Sequence, residues 1–402
     1  MIRHVFKLVW NRKRANVLIM SEILVSFLVL CVVVTTLVYF LVNWQKPLGF
    51  DFRNVLEVHA RFNWHLQEEE GKKAFLARLQ RIERELRGME AIESAALGGN
   101  IPYSGNTSSW QMPVHDRIVE VQWSVVSPDF RDVLRLDLVT GRWLEPGDES
   151  FDWSPIVVTR DLARDLFGTA NPLGESLPRF EEDGTPRERK EEETDYRVVG
   201  VVSDFRRQGE LSNGPYVAFN IMDFGEPEQW PPSRFLVRLR PGTPASVEDV
   251  ISRRLHALAP DWTFTLERLE EKRSDRLRAQ LMSLLLQAVI AGFLLIMVGL
   301  GLMGVLWQNV ARRTRELGLR RALGATSQGV RLQILGELLA LTTIAALLGS
   351  LLFLQAPVLG IAGFVGWRVY LLGLVAALGI LYYLVVLCGL YPSWLATRVH
   401  PA

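Results

Sequence analysis

The sequence predicts a membrane α-helical protein, with four transmembrane helices and a large α+β extracytoplasmic domain, in two lobes, inserted between helices 1 and 2. Three observations lead there. Of 402 residues, 49% are hydrophobic and 22% charged, with a mean hydropathy of +0.14, too apolar for an ordinary soluble enzyme and too charged for an all-membrane bundle. The apolar residues gather toward the two ends of the chain, in runs near the ~20 residues that a hydrocarbon core of about 30 Å selects. Basic residues flank those runs on one side, and the long segment between the first two runs is net acidic. Short basic flanks mark the cytoplasmic side.

Residues 1–16 carry Arg3, Lys7, Arg12, Lys13 and Arg14 with no acid. Ile2, Val5, Phe6, Leu8, Val9 and Trp10 among them make an amphipathic stretch, expected as a cytoplasmic interfacial helix. Residues 17–42 follow as helix 1. That run exceeds the ~7–15 residues of a signal-peptide core and no small-residue cleavage site follows it, so a retained anchor is expected rather than a signal peptide. Residues 43–278 form the outer domain. Helix 2 is expected over 281–306, helix 3 over 332–354 and helix 4 over 370–390, with a cytoplasmic loop at 308–331 and a cytoplasmic tail at 391–402. In that loop Arg312, Arg313, Arg315, Arg320, Arg321 and Arg331 face Glu316 alone. Four spans put both termini inside, as the charges require. Small residues four apart, Ala288 and Gly292, Ala345 and Gly349, Gly373 and Ala377, suit close helix approach in lipid.

Inside the outer domain, residues 55–62 are β-branched and aromatic and read as a strand. Residues 72–87 place Phe75, Leu76, Leu79, Ile82 and Leu86 at helical spacing, and a strand near 94–97 follows. Further strands are expected at 155–159, 196–202 and 235–239, with a short helix at 160–167. Helix 246–258 and strand 263–266 repeat the first pattern. One lobe is therefore expected from the two ends of the insert and one from its middle. The charged stretch 181–195 lacks periodicity and reads as a solvated loop. Both cysteines, Cys31 and Cys388, fall in predicted spans, so the domain is expected to hold together by its core alone, which its size allows. Trp64, Trp110, Trp123, Trp143, Trp153, Trp230 and Trp262 are expected as core or interface residues rather than a ligand surface.

The motifs of catalysis are missing from these residues. No Gly-x-x-x-x-Gly-Lys-Ser/Thr occurs, so ATP hydrolysis is expected of a partner. The histidines His4, His59, His65, His115, His256 and His400 are scattered and no His-Glu-x-x-His occurs, so no metal site is expected. No Gly-x-Ser-x-Gly elbow occurs either. The chain is expected to be a non-catalytic subunit with no cofactor of its own.

The most informative segment is 311–326. Glu316 precedes Arg320 by four residues, the favoured order for a helical ion pair, Leu319 and Leu323 line one side, and Gly324 ends the helix. A basic lipid anchor explains the arginines; an ordered, Gly-terminated amphipathic helix suits docking of a cytoplasmic partner. The run Arg313-Thr-Arg-Glu-Leu-Gly-Leu-Arg-Arg-Ala-Leu-Gly-Ala325 resembles the cytoplasmic loop of the MacB/FtsX-like permeases, membrane subunits of mechanotransmission (type VII) ABC transporters. Residues 333–337 and 389–398 are similar to the same family. So are Ser127-Pro-Asp-Phe130, Gly141-Arg-Trp143, Leu166-Phe-Gly168 with Pro172-Leu-Gly174, and Val198 to Phe205, which look like the family's periplasmic core domain.

The resemblance implies that a separate cytoplasmic ATPase, holding ATP and Mg, docks on the coupling helix. The positions carried over are Arg313, Arg315, Glu316, Gly318, Arg320, Arg321, Leu323 and Gly324. It implies a second permease chain, as a homodimer or heterodimer, contact with membrane lipids and with a periplasmic protein, no nucleic acid, and a place in the bacterial inner membrane. The function implied is export or extraction of amphipathic cargo (peptide, lipid, lipoprotein or drug), with a non-transporting mechanotransmitter that regulates a periplasmic hydrolase or sensor as the alternative. Glu22, one turn inside helix 1, either snorkels toward Arg12, Lys13 or Arg14 or serves membrane coupling and packing. Glu337, early in helix 3, carries the same two readings.

Overall fold

The strands that follow the first membrane helix and precede the second are direct partners in one sheet. The structure, a computed structural model, describes residues 13–62, 69–105, 109–114, 117–168, 171–180, 185–190, 193–214, 216–222, 232–312, 327–361 and 365–396. In chain order, α1 (Lys13–Trp44) leads to β1 (Val55–Arg61), α2 (Glu69–Arg87), β2 (Ile92–Leu97), β3 (Ser109–Val114), β4 (Arg117–Val126), α3 (Phe130–Leu134) and β5 (Leu138–Gly141). Then come β6 (Ser154–Thr159), α4 (Arg160–Phe167), β7 (Arg179–Phe180), β8 (Pro186–Arg187), β9 (Tyr196–Val202) and β10 (Tyr216–Ile221). The chain closes with β11 (Arg234–Leu239), α5 (Val247–Leu258), β12 (Thr263–Arg268), α6 (Leu269–Arg312), α7 (Ser327–Val358) and α8 (Trp367–Ala396). Residues 43–279 form one unit and the remainder of the chain a second.

In the outer unit, a four-stranded sheet of order β12-β1-β11-β2 is built from the ends of the insert, and a six-stranded sheet of order β3-β4-β10-β6-β9-β5 from its middle. The alternation of a strand decides which core each residue enters. On β1, Leu56, Val58 and Ala60 pack with Leu76, Leu79, Ile82 and Leu86 of α2 and with Val247, Ile251 and Leu255 of α5. Val55, on the opposite face, joins a core shared by both sheets, with Ala96 and Leu236 on one side and Val157, Val202, Val217 and Phe219 on the other. Phe219 is the hub of that core, its ring 5.2 Å from Phe205, 5.4 Å from Trp143 and 5.9 Å from Phe130.

The stretch expected as a solvated loop is partly structured. Arg179 and Phe180 pair with Arg187 and Pro186 as a two-stranded ribbon, and Arg187 grips Glu193 with two bonds of 2.9 and 2.5 Å. The segment carries charges of both signs, so an arginine and a glutamate can pair across it. Of the tryptophans, Trp123, Trp143 and Trp262 are buried in the cores, Trp110 is partly exposed over Trp123, and Trp64 and Trp230 lie outside the described residues.

Among the described residues four helices are long and apolar enough to cross a membrane, over Met20–Trp44, Leu269–Gly304, Leu338–Val358 and Trp367–Cys388. Within that unit α1 meets each of the other three at a glycine. A Cβ at Gly301 of α6 would lie 2.9 Å from the Glu22 carboxylate, one at Gly349 of α7 would lie 2.6 Å from the Phe27 ring, and one at Gly373 of α8 would lie 2.1 Å from the Thr35 hydroxyl. Where packing replaces the hydrophobic drive, missing side chains let the helices approach. The small pairs at 345/349 and 373/377 are thus used within the chain, whereas Gly292 has nothing within 4 Å.

Gly373→Leu is expected to destabilise the detergent-solubilised chain by about 1–3 kcal/mol through overpacking, and Gly292→Leu to leave its thermal midpoint unchanged. Equal shifts in the two variants would contradict the arrangement.

Candidate functional site

Among the described residues no group of His, Cys, Asp and Glu is placed to hold a metal. The feature the outer unit builds with most care is instead a joint. Residues 45–54 carry the chain from the end of α1 to β1, and that connector is fastened at almost every step. Arg206, 1% exposed, donates from Nη1 to the carbonyls of Lys46 (2.7 Å) and Pro47 (3.4 Å). Its Nη2 and Nε donate to Glu210 and Ser212 carbonyls of its own loop at 2.6 to 3.1 Å, and its backbone N–H donates to Leu48 O at 2.9 Å. Next, Gly49 sits at φ 81 with the Asp204 carbonyl so close that a Cβ would lie 1.8 Å from its oxygen. Only glycine fits there.

Phe50 is buried against Phe205 (5.6 Å) and Tyr103 (5.9 Å). Asp51 N–H donates to Leu134 O at 2.8 Å. A second buried guanidinium, Arg238, donates to the carbonyls of Asp51 (2.8 Å), Arg53 (2.9 Å) and Val133 (2.7 Å). Burial, and then Arg135, hold Arg238 below its ordinary value while Asp51 opposes them; an arginine so placed still keeps its proton. The Asn54 N–H donates to Glu270 Oε1 at 2.6 Å, and Leu239 N–H donates to Asn54 O at 2.8 Å.

The other end of the domain is fastened to the same parts. Strand β12 runs directly into α6. Lys272, on the first turn of α6, pairs with Glu57 of β1 and with Glu267 (3.1 Å), and buried Glu57 also accepts from Arg234 at 2.8 Å. Arg273 pairs with Glu210 in the Arg206 loop and lies 4.9 Å above the Phe52 ring of the connector. Glu270 and Arg273 therefore tie the chain leaving α1 to the helix that becomes the second membrane run. Buried charged groups hold such geometry because removal of one partner strands the others.

The docking positions Arg313, Arg315, Glu316, Gly318, Arg320, Arg321, Leu323 and Gly324 lie outside the described residues, between the end of α6 at Arg312 and the start of α7 at Ser327. Glu337 lies in α7, with its side chain outside the described residues. Glu22 is half-buried and its carboxylate rests against Gly301 of α6. The sequence did not single out Arg206, Arg238, Glu270 or Arg273. Its usable signal was the pair Arg206-Arg207 directly after the apolar strand 196–202 and before Gly209.

The model of the MacB-like periplasmic core domain matches residues 25–254, and that of the FtsX-like permease C-terminal matches residues 288–401. The macrolide export ATP-binding/permease protein MacB of Bdellovibrio bacteriovorus is 24% identical over 80% of this chain and 47% of its own length. The ABC transporter permease YknZ of Bacillus subtilis is 23% identical over 79% of this chain and 77% of its own. The chain thus spans about half the length of the Bdellovibrio relative. The crystal structure of the periplasmic region of MacB from Actinobacillus actinomycetemcomitans covers 58% of this chain and 96% of that one, with 16% identity and a TM-score of 0.37.

Arg206→Ala leaves the carbonyls of Lys46, Pro47, Glu210 and Ser212 without this donor and is expected to lower unfolding free energy by on the order of 3 kcal/mol in denaturant titration. Arg206→Lys, a point donor in place of a planar fork, is expected to recover less than half. An unaltered midpoint in the alanine variant would show that the joint is held otherwise.

Proposed function

This chain belongs to the MacB/FtsX-like ABC transporter permeases, and from that membership we propose that it is the subunit through which a separate cytoplasmic ATPase moves the outer domain. The observation that carries the proposal is the connector 45–54. A flexible linker there would absorb a shift of α1, because a Gly/Ser-like coil changes its end-to-end distance freely. This connector is bonded along its length through Arg206, Arg238 and Glu270, and the other connection is helix α6 itself. A displacement of the membrane helices then reaches both sheets without slack.

In this proposal the ATPase docks on the helix around Glu316 to Leu323, with Arg313, Arg315, Gly318, Arg320, Arg321 and Gly324 shaping it, and nucleotide and Mg belong to the ATPase. Glu22 against Gly301 and Glu337 in α7 serve packing and coupling in the membrane. A second permease chain completes the assembly in the bacterial inner membrane. The cargo proposed is amphipathic, a peptide, lipid, lipoprotein or drug, and export is supported by the name of the Bdellovibrio relative. The same joint would serve a mechanotransmitter that regulates a periplasmic hydrolase or sensor without moving cargo.

Two measurements test it. Co-purification with the ATPase should be lost in Glu316→Arg and in Arg320→Glu; retention in both removes the docking assignment. A Gly-Ser-Gly-Ser insertion after Gln45 should keep ATPase binding and hydrolysis while lowering cargo movement roughly tenfold, the scale of a lost coupling free energy. Undiminished transport would remove the joint from the mechanism, and hydrolysis that stimulates an outer protein with no cargo moved would favour the mechanotransmitter.

A further inference from the structure

Between Leu144 and β6 the outer unit carries a turn that puts aromatic side chains at the surface. Residues 145–153 read Glu-Pro-Gly-Asp-Glu-Ser-Phe-Asp-Trp, with four acids and no base. The turn is held by its own hydrogen bonds. Asp148, 5% exposed, accepts from both Nη groups of Arg142 at 2.8 Å and from the Glu145 N–H at 2.9 Å. Its own N–H donates to Glu145 O at 3.1 Å, and Ser150 N–H donates to Gly147 O at 3.0 Å. At the far end Ser154 donates its N–H to Asp195 O at 2.8 Å and its hydroxyl to Asn220 Oδ1 at 2.9 Å.

On this frame Phe151 and Trp153 stack, with ring centres 4.8 Å apart and planes 2° from parallel. The Arg197 guanidinium lies 5.4 Å from the Trp153 ring centre and donates from Nε to Asp195 Oδ2 at 2.7 Å. Phe151 is 47% exposed. A single exposed phenylalanine is ordinary on a surface. Here the bonds on both sides fix the turn, so the ring pair is presented with little left to order on binding. Aromatic side chains held in that way anchor protein interfaces.

The charges around the pair identify what covers it. The two arginines beside the turn are already engaged, Arg142 by Asp148 and Arg197 by Asp195, while Glu145 and Asp152 are exposed. An acidic rim repels an anionic lipid surface, and a half-exposed ring gives too little enclosure for a small molecule. A cation on an apolar stem suits both parts of the surface. It can stack on an aromatic face, as Arg197 does on Trp153, and it meets the carboxylates. We propose that Phe151 and Trp153, flanked by Glu145 and Asp152, dock a segment of an extracytoplasmic partner protein that is rich in arginine or lysine and in apolar side chains. The site requires the outer placement of this domain but neither an ATPase nor the connector, so its failure and that of the proposed function are separable.

The test uses the full chain in a non-ionic detergent and, as probe, the fluorescein-labelled peptide Arg-Leu-Arg-Leu-Arg-Leu-Arg-Leu, read by fluorescence anisotropy. The wild type should bind it more tightly than a Glu-Leu repeat of the same length, and binding should weaken as salt is raised. Phe151→Ser should weaken binding about tenfold, the loss of one aromatic anchor. Reversing the rim with Glu145→Lys and Asp152→Lys together should weaken it by a similar factor and remove most of the salt dependence, with the thermal midpoint of both variants unchanged. Val250→Ser, at a side chain of 44% exposure on α5, should bind as the wild type does. Equal affinity of the wild type for the two repeats would overturn the proposal, as would wild-type affinity in either Phe151→Ser or the charge-reversed variant. Displacement of the peptide by an equimolar amount of tetraphenylphosphonium would overturn the assignment to a protein segment in favour of a small amphipathic cation.

Discussion

A guanidinium taken out of water must place five N–H donors on acceptors, and Arg206 donates to the backbone carbonyls of Lys46, Pro47, Glu210 and Ser212. That requirement organises the region around it. Carbonyls are fixed to the chain, so binding them sets the path of residues 46–48 and the turn at 210–212 together, where a carboxylate partner would have left both free to move. Arg238 repeats the device at residues 51 and 53. Among the described residues the three largest fully buried side chains are arginines, Arg206, Arg207 and Arg238, and two of them, Arg206 and Arg238, bind the connector. A buried charge contributes little net stability and much geometric definition when its bonds are complete.

The shared core joins the two sheets at this end. Trp143 donates its indole N–H to Pro128 O at 2.7 Å and packs on Phe219. Ser127 donates its backbone N–H to Leu97 O and accepts from Leu97 N–H on its hydroxyl, both at 2.9 Å. Arg142 holds Asp148 with two bonds of 2.8 Å. These are residues of the motifs Ser127 to Phe130 and Gly141 to Trp143, so two of the family-like signatures of the outer domain contribute to the shared core. Arg87 adds a tie from α2 to Asp129 and to Glu83, both at 2.7 Å. Burial holds the Glu83 carboxyl above the usual carboxylate range, against the pull of that arginine.

The legible parts of the sequence were those where one physical signal dominated. Apolar length and basic flanks gave the four membrane helices, because bilayer thickness admits few alternatives. The strand 196–202 and the helix 160–167 were read with their observed bounds. The two-lobe division followed from the repeated strand and helix pattern at both ends of the insert. Strands β3, β4 and β10 were missed, although Val119 to Val125 alternates apolar and polar residues as a half-buried strand does; the pairing of β10 with β4 joins segments far apart in the chain. The joint was missed for a different reason. Arginine in a sequence signals a surface, and only tertiary structure reveals one whose acceptors are carbonyls more than a hundred residues away.

The central claim is that the connection between α1 and the outer sheets has no slack, and amide hydrogen exchange of the full chain in nanodiscs addresses it most directly. The N–H groups of Asp51, Asn54 and Val55 donate to Leu134, Glu270 and Phe52, so peptides covering residues 45–55 should exchange as slowly as those covering strand β9. Exchange of those peptides at the rate of an exposed loop, with β9 still protected, would show that the connector opens freely and would contradict the account.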